Sequence, residues 1–133
     1  MYHVVLAVDE NEERAESAAR EVANLPGDPD EKRVTLVHVF QDNPSGASAT
    51  QVASVRAAED VLDAAGLDVE ISEASGDPAD VILDVAAEAG ADLLVVGGRK
   101  RSPAGKALFG SVTQSVILNA DRPVMVAGVV RQA

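Results

Sequence analysis

The sequence predicts an α/β protein, an open three-layer sandwich with a five-stranded parallel sheet between two layers of helices. Two observations carry this. Short, nearly all-apolar runs, of the kind that form strands buried on both faces, alternate with stretches whose apolar residues recur at helical spacing. The joints between them are rich in Gly, Pro, Asp and Asn, which punctuate secondary structure. Strands that alternate with helices pair in parallel through right-handed crossovers. At 133 residues, the chain reads as a single domain, 1–133, long enough to bury a real core.

The first strand is the apolar run 3–8, and Asp9-Glu10-Asn11 follows it. Asn11 suits the N-cap of a helix over 11–24, with Glu12 and Glu13 in its first turn and Ala15, Ala18, Ala19, Val22 and Ala23 on its inner face. Pro26-Gly27-Asp28-Pro29 ends it. The second strand is 34–40, and residues 41–49 form a polar loop. A helix over 48–65 presents Val52, Val55, Ala58, Val61, Leu62 and Ala65, and Gly66 stops it. Residues 67–71 alternate apolar and polar, as an edge strand does. Asp77 and Pro78 suit the N-cap and first position of a third helix, which faces inward through Val81, Ile82, Val85, Ala86 and Ala89 and ends at Gly90. The fourth strand is 92–96, the fourth helix 111–119 and the fifth strand 123–127.

Composition narrows the function. With one Tyr, two Phe and no Trp, the core is aliphatic, and the absence of cysteine excludes disulfides and thiol chemistry. The N-terminus enters a strand at once, and no apolar run approaches the roughly 18 residues of a membrane span. The expectation is a cytoplasmic protein without membrane partners. Net charge is −11, unevenly spread: residues 1–96 hold 5 basic and 21 acidic side chains, and residues 97–133 hold 6 and 1. The acidic part argues against nucleic acid as a partner. Only three of the eleven basic residues are lysine, and with so many carboxylates this points to a salt-loving source.

The chemistry concentrates between Val95 and Thr113. An apolar strand breaks at Gly97-Gly98, runs through Arg99, Lys100, Arg101 and Lys106, and reaches Gly110-Ser111 at a helix start. The free N–H groups and positive dipole end of a helix N-terminus favour phosphate. In an open parallel sheet, ligands sit beyond the carboxyl ends of the strands where strand order reverses. Ala7-Val8-Asp9 and Val96-Gly97 are the expected flanks of that crevice. The alternative for the glycines is a tight turn, for the basic cluster a solvated loop, and for Ser111 an N-cap, a role compatible with phosphate contact. Asp9 suits ribose or metal contact, a phosphoacceptor role, or a cap on the first helix. His3 and His38 read as packed, hydrogen-bonded histidines. There is no Gly-x-Ser-x-Gly elbow, His-Glu-x-x-His or Walker A pattern, and nothing sets a base beside a nucleophile, so a dedicated enzyme is not expected.

These residues resemble the universal stress protein family over essentially the whole length. The family's nucleotide motif, Gly-x2-Gly-x9-Gly-(Ser/Thr), falls on Gly97, Lys100, Gly110 and Ser111. Val8-Asp9, Leu36-Val37-His38-Val39, Gly76-x-Pro78 and Pro123-Val124-Met125-Val126 are also similar. The resemblance implies the adenine nucleotide alpha hydrolase-like fold with strand order 3-2-1-4-5, and a homodimer through strand 123–128. It implies ATP, ADP or AMP as ligand, held by Asp9, Val39, Val96, Gly97, Arg99, Lys100, Gly110, Ser111, Val112 and Thr113, with Ala7 and Val8 lining the base. Asp9 is then the candidate Mg2+ contact, through Mg-ATP. The expected function is a dimeric, nucleotide-binding regulator of the stress response, with a nucleotide-free interaction module and a slow ATPase as alternatives. Lys100 departs from the motif. If its backbone must be left-handed, it costs about 1–2 kcal/mol, which a lysine–phosphate hydrogen bond of roughly 1.5–3 kcal/mol offsets. Gly98 or Gly105 is the alternative residue to absorb the turn. The unguarded apolar edge of the last strand independently favours pairing with its own copy.

Overall fold

The computed structural model describes residues 1–40, 52–101 and 107–128. The loop 41–49, the expected start of the second helix, and Gly105 and Lys106 lie outside the described residues. The chain runs β1 (Tyr2–Val8), α1 (Glu12–Ala23), a 3-10 turn (Pro29–Glu31), β2 (Lys32–Phe40), α2 (Ala53–Ala64), β3 (Asp68–Ser75), α3 (Pro78–Ala89), β4 (Leu93–Arg101), β5 (Ala107–Phe109), α4 (Ser111–Asn119) and β6 (Val124–Gly128). The parallel strands lie in the order β3-β2-β1-β4-β6, the expected arrangement with β6 as its fifth member.

Strand alternation builds the layers. Val4, Leu6 and Val8 of β1 share one core with Val34 and Leu36 of β2, Leu93 and Val95 of β4, and the inner faces of α1 and α2. Val5 and Ala7 point the other way, into a second core with Val37, Leu94, Val96, Ile82 and Ala86 of α3, and Val116 of α4. Successive side chains of a strand leave by opposite faces, so an all-apolar strand needs helices on both sides. The buried positions of α1 are small (Ala15, Ser17, Ala18 and Ala19, with Val22), which lets that helix lie close to β1.

The helix ends follow local chemistry. Asn11 accepts a hydrogen bond from Arg14 N at 2.9 Å, and Asp77 accepts one from Asp80 N at 3.2 Å. Gly90 ends α3 in the left-handed conformation, φ 63°. Gly66, at φ 81°, follows the C-cap of α2. Both histidines are packed and bonded. His3 Nδ1 donates to Ala89 O at 3.1 Å, while Nε2 accepts from the Thr35 hydroxyl at 2.7 Å. His38 Nδ1 donates to Val8 O at 3.1 Å.

Four boundaries differ from expectation. β2 begins at Lys32, whose ammonium is buried and donates to Leu25 O at 2.7 Å. β3 runs past residue 71 to Ser75, because it stays in register with β2 through Phe40↔Ser75. α2 begins at Ala53, after residue 48. Lastly, β4 does not stop at the glycine pair. It continues to Arg101 because β5 folds back on it as a short antiparallel ribbon, pairing Arg99↔Phe109, Lys100↔Leu108 and Arg101↔Ala107.

Candidate functional site

A cleft of about 770 Å³ opens above the carboxyl ends of β1, β2 and β4. That volume lies within the roughly 300–1,000 Å³ typical of small-molecule sites. Its position follows from topology. After β1 the chain moves outward to β2 and β3, then returns to place β4 on the other side of β1. Strand order reverses there, and the connections diverge and leave a crevice. The register sets its depth: Ala7 lies level with both Val37 and Val96, and Val8 with His38.

Ten of the expected residues line this one cleft: Ala7, Val8, Asp9, Val39, Val96, Gly97, Gly110, Ser111, Val112 and Thr113. Arg99 and Lys100 continue the β4 backbone within the β5 ribbon. Lys100 therefore has a strand conformation, which any L-residue adopts, and the left-handed cost considered for it does not arise. The glycine pair serves a different purpose from a tight turn. The pairing of β4 with β6 slips between Val96 and Arg99, and Gly97-Gly98 occupy the irregularity.

The start of α4 also differs in detail. Gly110 is the N-cap, with φ −65° and ψ 162°, and Ser111 is the first helical residue rather than the cap. Among the described residues, no side chain caps this helix. Its first turn sits in the cleft wall, with the dipole's positive end towards the opening. A Cβ added at Gly110 would meet no atom of the described residues within 4 Å. Neither backbone geometry nor packing against those residues thus requires glycine there. Thr113 fixes the helix to the strand: its hydroxyl is buried and donates to Gly97 O at 2.6 Å.

Opposite lies Asp9, just past β1. Its Oδ1 accepts from Asn11 N at 2.9 Å, and its Oδ2 accepts from Arg14 Nη2 at 2.8 Å. Of the three readings of Asp9, the bonds present are those of a support for the start of α1. Its backbone carbonyl accepts from Ser54 Oγ at 2.6 Å, tying α2 to the same corner. Mg2+ contact at Asp9 would compete with the bonds this arrangement already makes. One oxygen faces an N–H, the other a guanidinium, and a divalent cation would have to displace Arg14. Among the described residues, the one cluster of three potential metal ligands is Asp28, Asp30 and Glu31, exposed and on a different turn. Arg14, His38, Pro78 and Ile82 also line the cleft. Helical spacing marks Ile82 as core, but no sequence signal sets Arg14 apart from other surface arginines.

A parallel α/β sheet with a cleft at its switch point and a helix N-terminus in the cleft wall defines a domain of the doubly wound type, a fold whose ligands sit at that switch point. Over residues 1–128 the chain matches the model of the universal stress protein family, and it belongs to that family. A universal stress protein from Mycolicibacterium smegmatis is 38% identical over 65 residues, 48% of this chain and 50% of that one. The stress response protein NhaX of Bacillus subtilis is 37% identical over 59 residues, 44% of this chain and 34% of that one. These alignments thus span half or less of either relative. Solved structures match over nearly the full length. A universal stress protein from Archaeoglobus fulgidus has TM-score 0.77 at 31% identity, covering 96% of this chain and 98% of that one. One in complex with cAMP has TM-score 0.73 at 26% identity, covering 97% and 98%. Another from A. fulgidus, in complex with dAMP, has TM-score 0.69 at 26% identity, covering 96% and 98%. No helix among the described residues is long and apolar enough to cross a membrane.

Proposed function

We propose that the cleft binds an adenine nucleotide (ATP, ADP or AMP) and that the protein acts as a dimeric, cytoplasmic regulator of the stress response. The observation that carries this is the start of α4: an uncapped helix N-terminus in the cleft wall, reached through a glycine that the fold itself does not require. Uncapped first-turn N–H groups bind phosphate oxygens, and a Cβ at Gly110 would occupy the space where they meet. The base would lie against Ala7, Val8 and Val39, which offer an apolar surface level with the strand ends. Bound cAMP and dAMP in proteins of the same fold support an adenine ligand over other phosphates. Magnesium, if it accompanies ATP, would be carried on the phosphates. Among the described residues, nothing beside the cleft pairs a base with a nucleophile, so binding would alter shape or partner choice rather than drive rapid turnover.

The test is calorimetric titration with ATP, ADP and AMP in high potassium chloride, on the parent protein and on Gly110→Val. The variant should keep its fold, because its side chain meets no atom of the described residues at the first carbon. Saturable binding by the parent and at least a tenfold loss in the folded variant, about 1.4 kcal/mol, is the expected result. A flat titration for all three nucleotides would sink the proposal and leave a nucleotide-free interaction module. Phosphate release from ATP in the same samples tests the slow-ATPase alternative.

A further inference from the structure

The nucleotide reading gives no role to Arg14, the basic side chain of the cleft lining. Arg14 occupies the third position of α1, and its side chain lies in the cleft wall. Nη2 donates to Asp9 Oδ2 at 2.8 Å, but Nε is buried and has no hydrogen-bond partner. The cause is geometric. A carboxylate beside a guanidinium ordinarily takes two parallel N–H groups. Here Oδ1 of Asp9 is turned to Asn11 N at 2.9 Å, and only Oδ2 meets the guanidinium, through Nη2. The pair is therefore one-pronged. With side chains 27% and 56% exposed, it is also screened by water and holds Arg14 weakly.

Charge gives the idle fork a purpose. Arg14 is the one Arg or Lys among the described lining residues, and the same wall carries Asp9 and Glu10. Those two carboxylates would repel a phosphate entering on the β1 side, and a guanidinium turned into the cleft reverses the local sign. We propose that Arg14 swings from Asp9 to the ligand and closes on its phosphate through Nε–H and an Nη–H together. Arg14 is then the residue that selects phosphorylated over unphosphorylated adenine compounds. A phosphate presents two uncommitted oxygens at the spacing the fork needs, which Asp9 does not. The inference rests on the nucleotide reading and deepens it, by assigning the phosphate a cation from α1 in addition to the first turn of α4.

The experiment compares AMP with adenosine on the parent, Arg14→Met and Arg14→Lys, by calorimetry, with circular dichroism to check the fold. The parent should prefer AMP. Arg14→Met should lose about tenfold or more for AMP while its adenosine affinity stays within about threefold. Arg14→Lys, which restores charge but not the fork, should recover part of the loss. In the parent, the Arg14 Nε–H proton resonance should shift on adding AMP and not on adding adenosine, a readout that needs no variant. Equal weakening for both ligands would reduce Arg14 to a packing role, and an unchanged AMP affinity in Arg14→Met would remove it from the site. Either result overturns the proposal while leaving the nucleotide reading intact. A parent that binds neither compound brings down the nucleotide reading, and this inference with it.

Discussion

Thr113 shows how much of the site rests on single buried polar atoms. Its hydroxyl joins α4 to the glycine pair of β4 through one 2.6 Å bond, and those are the two segments proposed to form the phosphate side of the cleft. Thr113→Val keeps the shape and removes the donor, leaving Gly97 O without that hydrogen bond. The expected cost is about 1–2 kcal/mol, read from urea unfolding, with weaker nucleotide binding because the helix start loses its anchor. Gly90 is a simpler case. It ends α3 at φ 63°, where an L-residue is strained, while a Cβ would meet nothing within 4 Å. Gly90→Ala should therefore destabilise by about 1 kcal/mol, through backbone conformation and not a clash. Equal midpoints for parent and variant in urea would refute that.

At the level of elements, the edge of the sheet invites a partner. β6 hydrogen-bonds to β4, and among the described residues no strand pairs with its other side. Val124, Met125 and Val126 are half-buried, divided between the two cores. The helix just before it leaves Ile117 39% and Leu118 74% exposed. An apolar edge without a charge to blunt it pairs with another chain, and isologous pairing with a second copy is the simplest closed solution. On the proposed dimer, Val126→Lys should shift a dimeric parent to monomer in size-exclusion chromatography with light scattering. A folded variant that keeps the parent's mass would remove this edge as the interface. The β4–β5 ribbon stands at the same end of the sheet as the cleft, so ligand contacts there and pairing through β6 would share β4 as a common support.

For the molecule as a whole, charge is the dominant departure from an average protein. A formal net charge of −11 on 133 residues carries self-repulsion in the folded state. Of the four ion pairs formed by described residues, each has at least one partner more than a third exposed, so they contribute little to stability. Salt that screens the carboxylates should therefore stabilise this protein. Raising potassium chloride from about 0.1 M to about 2 M should raise Tm by several degrees, measured by calorimetry. A fall in Tm over that range would count against both the repulsion argument and the salt-loving origin read from composition.

The layer architecture, the caps at Asn11 and Asp77, the stops at Gly66 and Gly90, and the cleft segments Ala7-Val8-Asp9, Val96-Gly97 and Gly110-Ser111 were legible in the chain. The reason is local. Burial on two faces demands an unbroken apolar strand, and a helix end demands particular side chains or a particular φ. The strand order, and Val39, Val112 and Thr113 as cleft residues, came from family resemblance rather than from any periodicity. What remained hidden depends on partners distant in sequence. β3 reaches Ser75 because β2 is there to pair with it, and β4 crosses the glycine pair because β5 folds back on it. Lys100 escapes a strained backbone for the same reason. Arg14 looks like any helical arginine until folding sets it beside a carboxylate that another N–H has half claimed. Spacing along the chain records what a segment prefers, whereas the committed oxygen, the idle Nε and the empty volume above Gly110 exist only once separate segments have met.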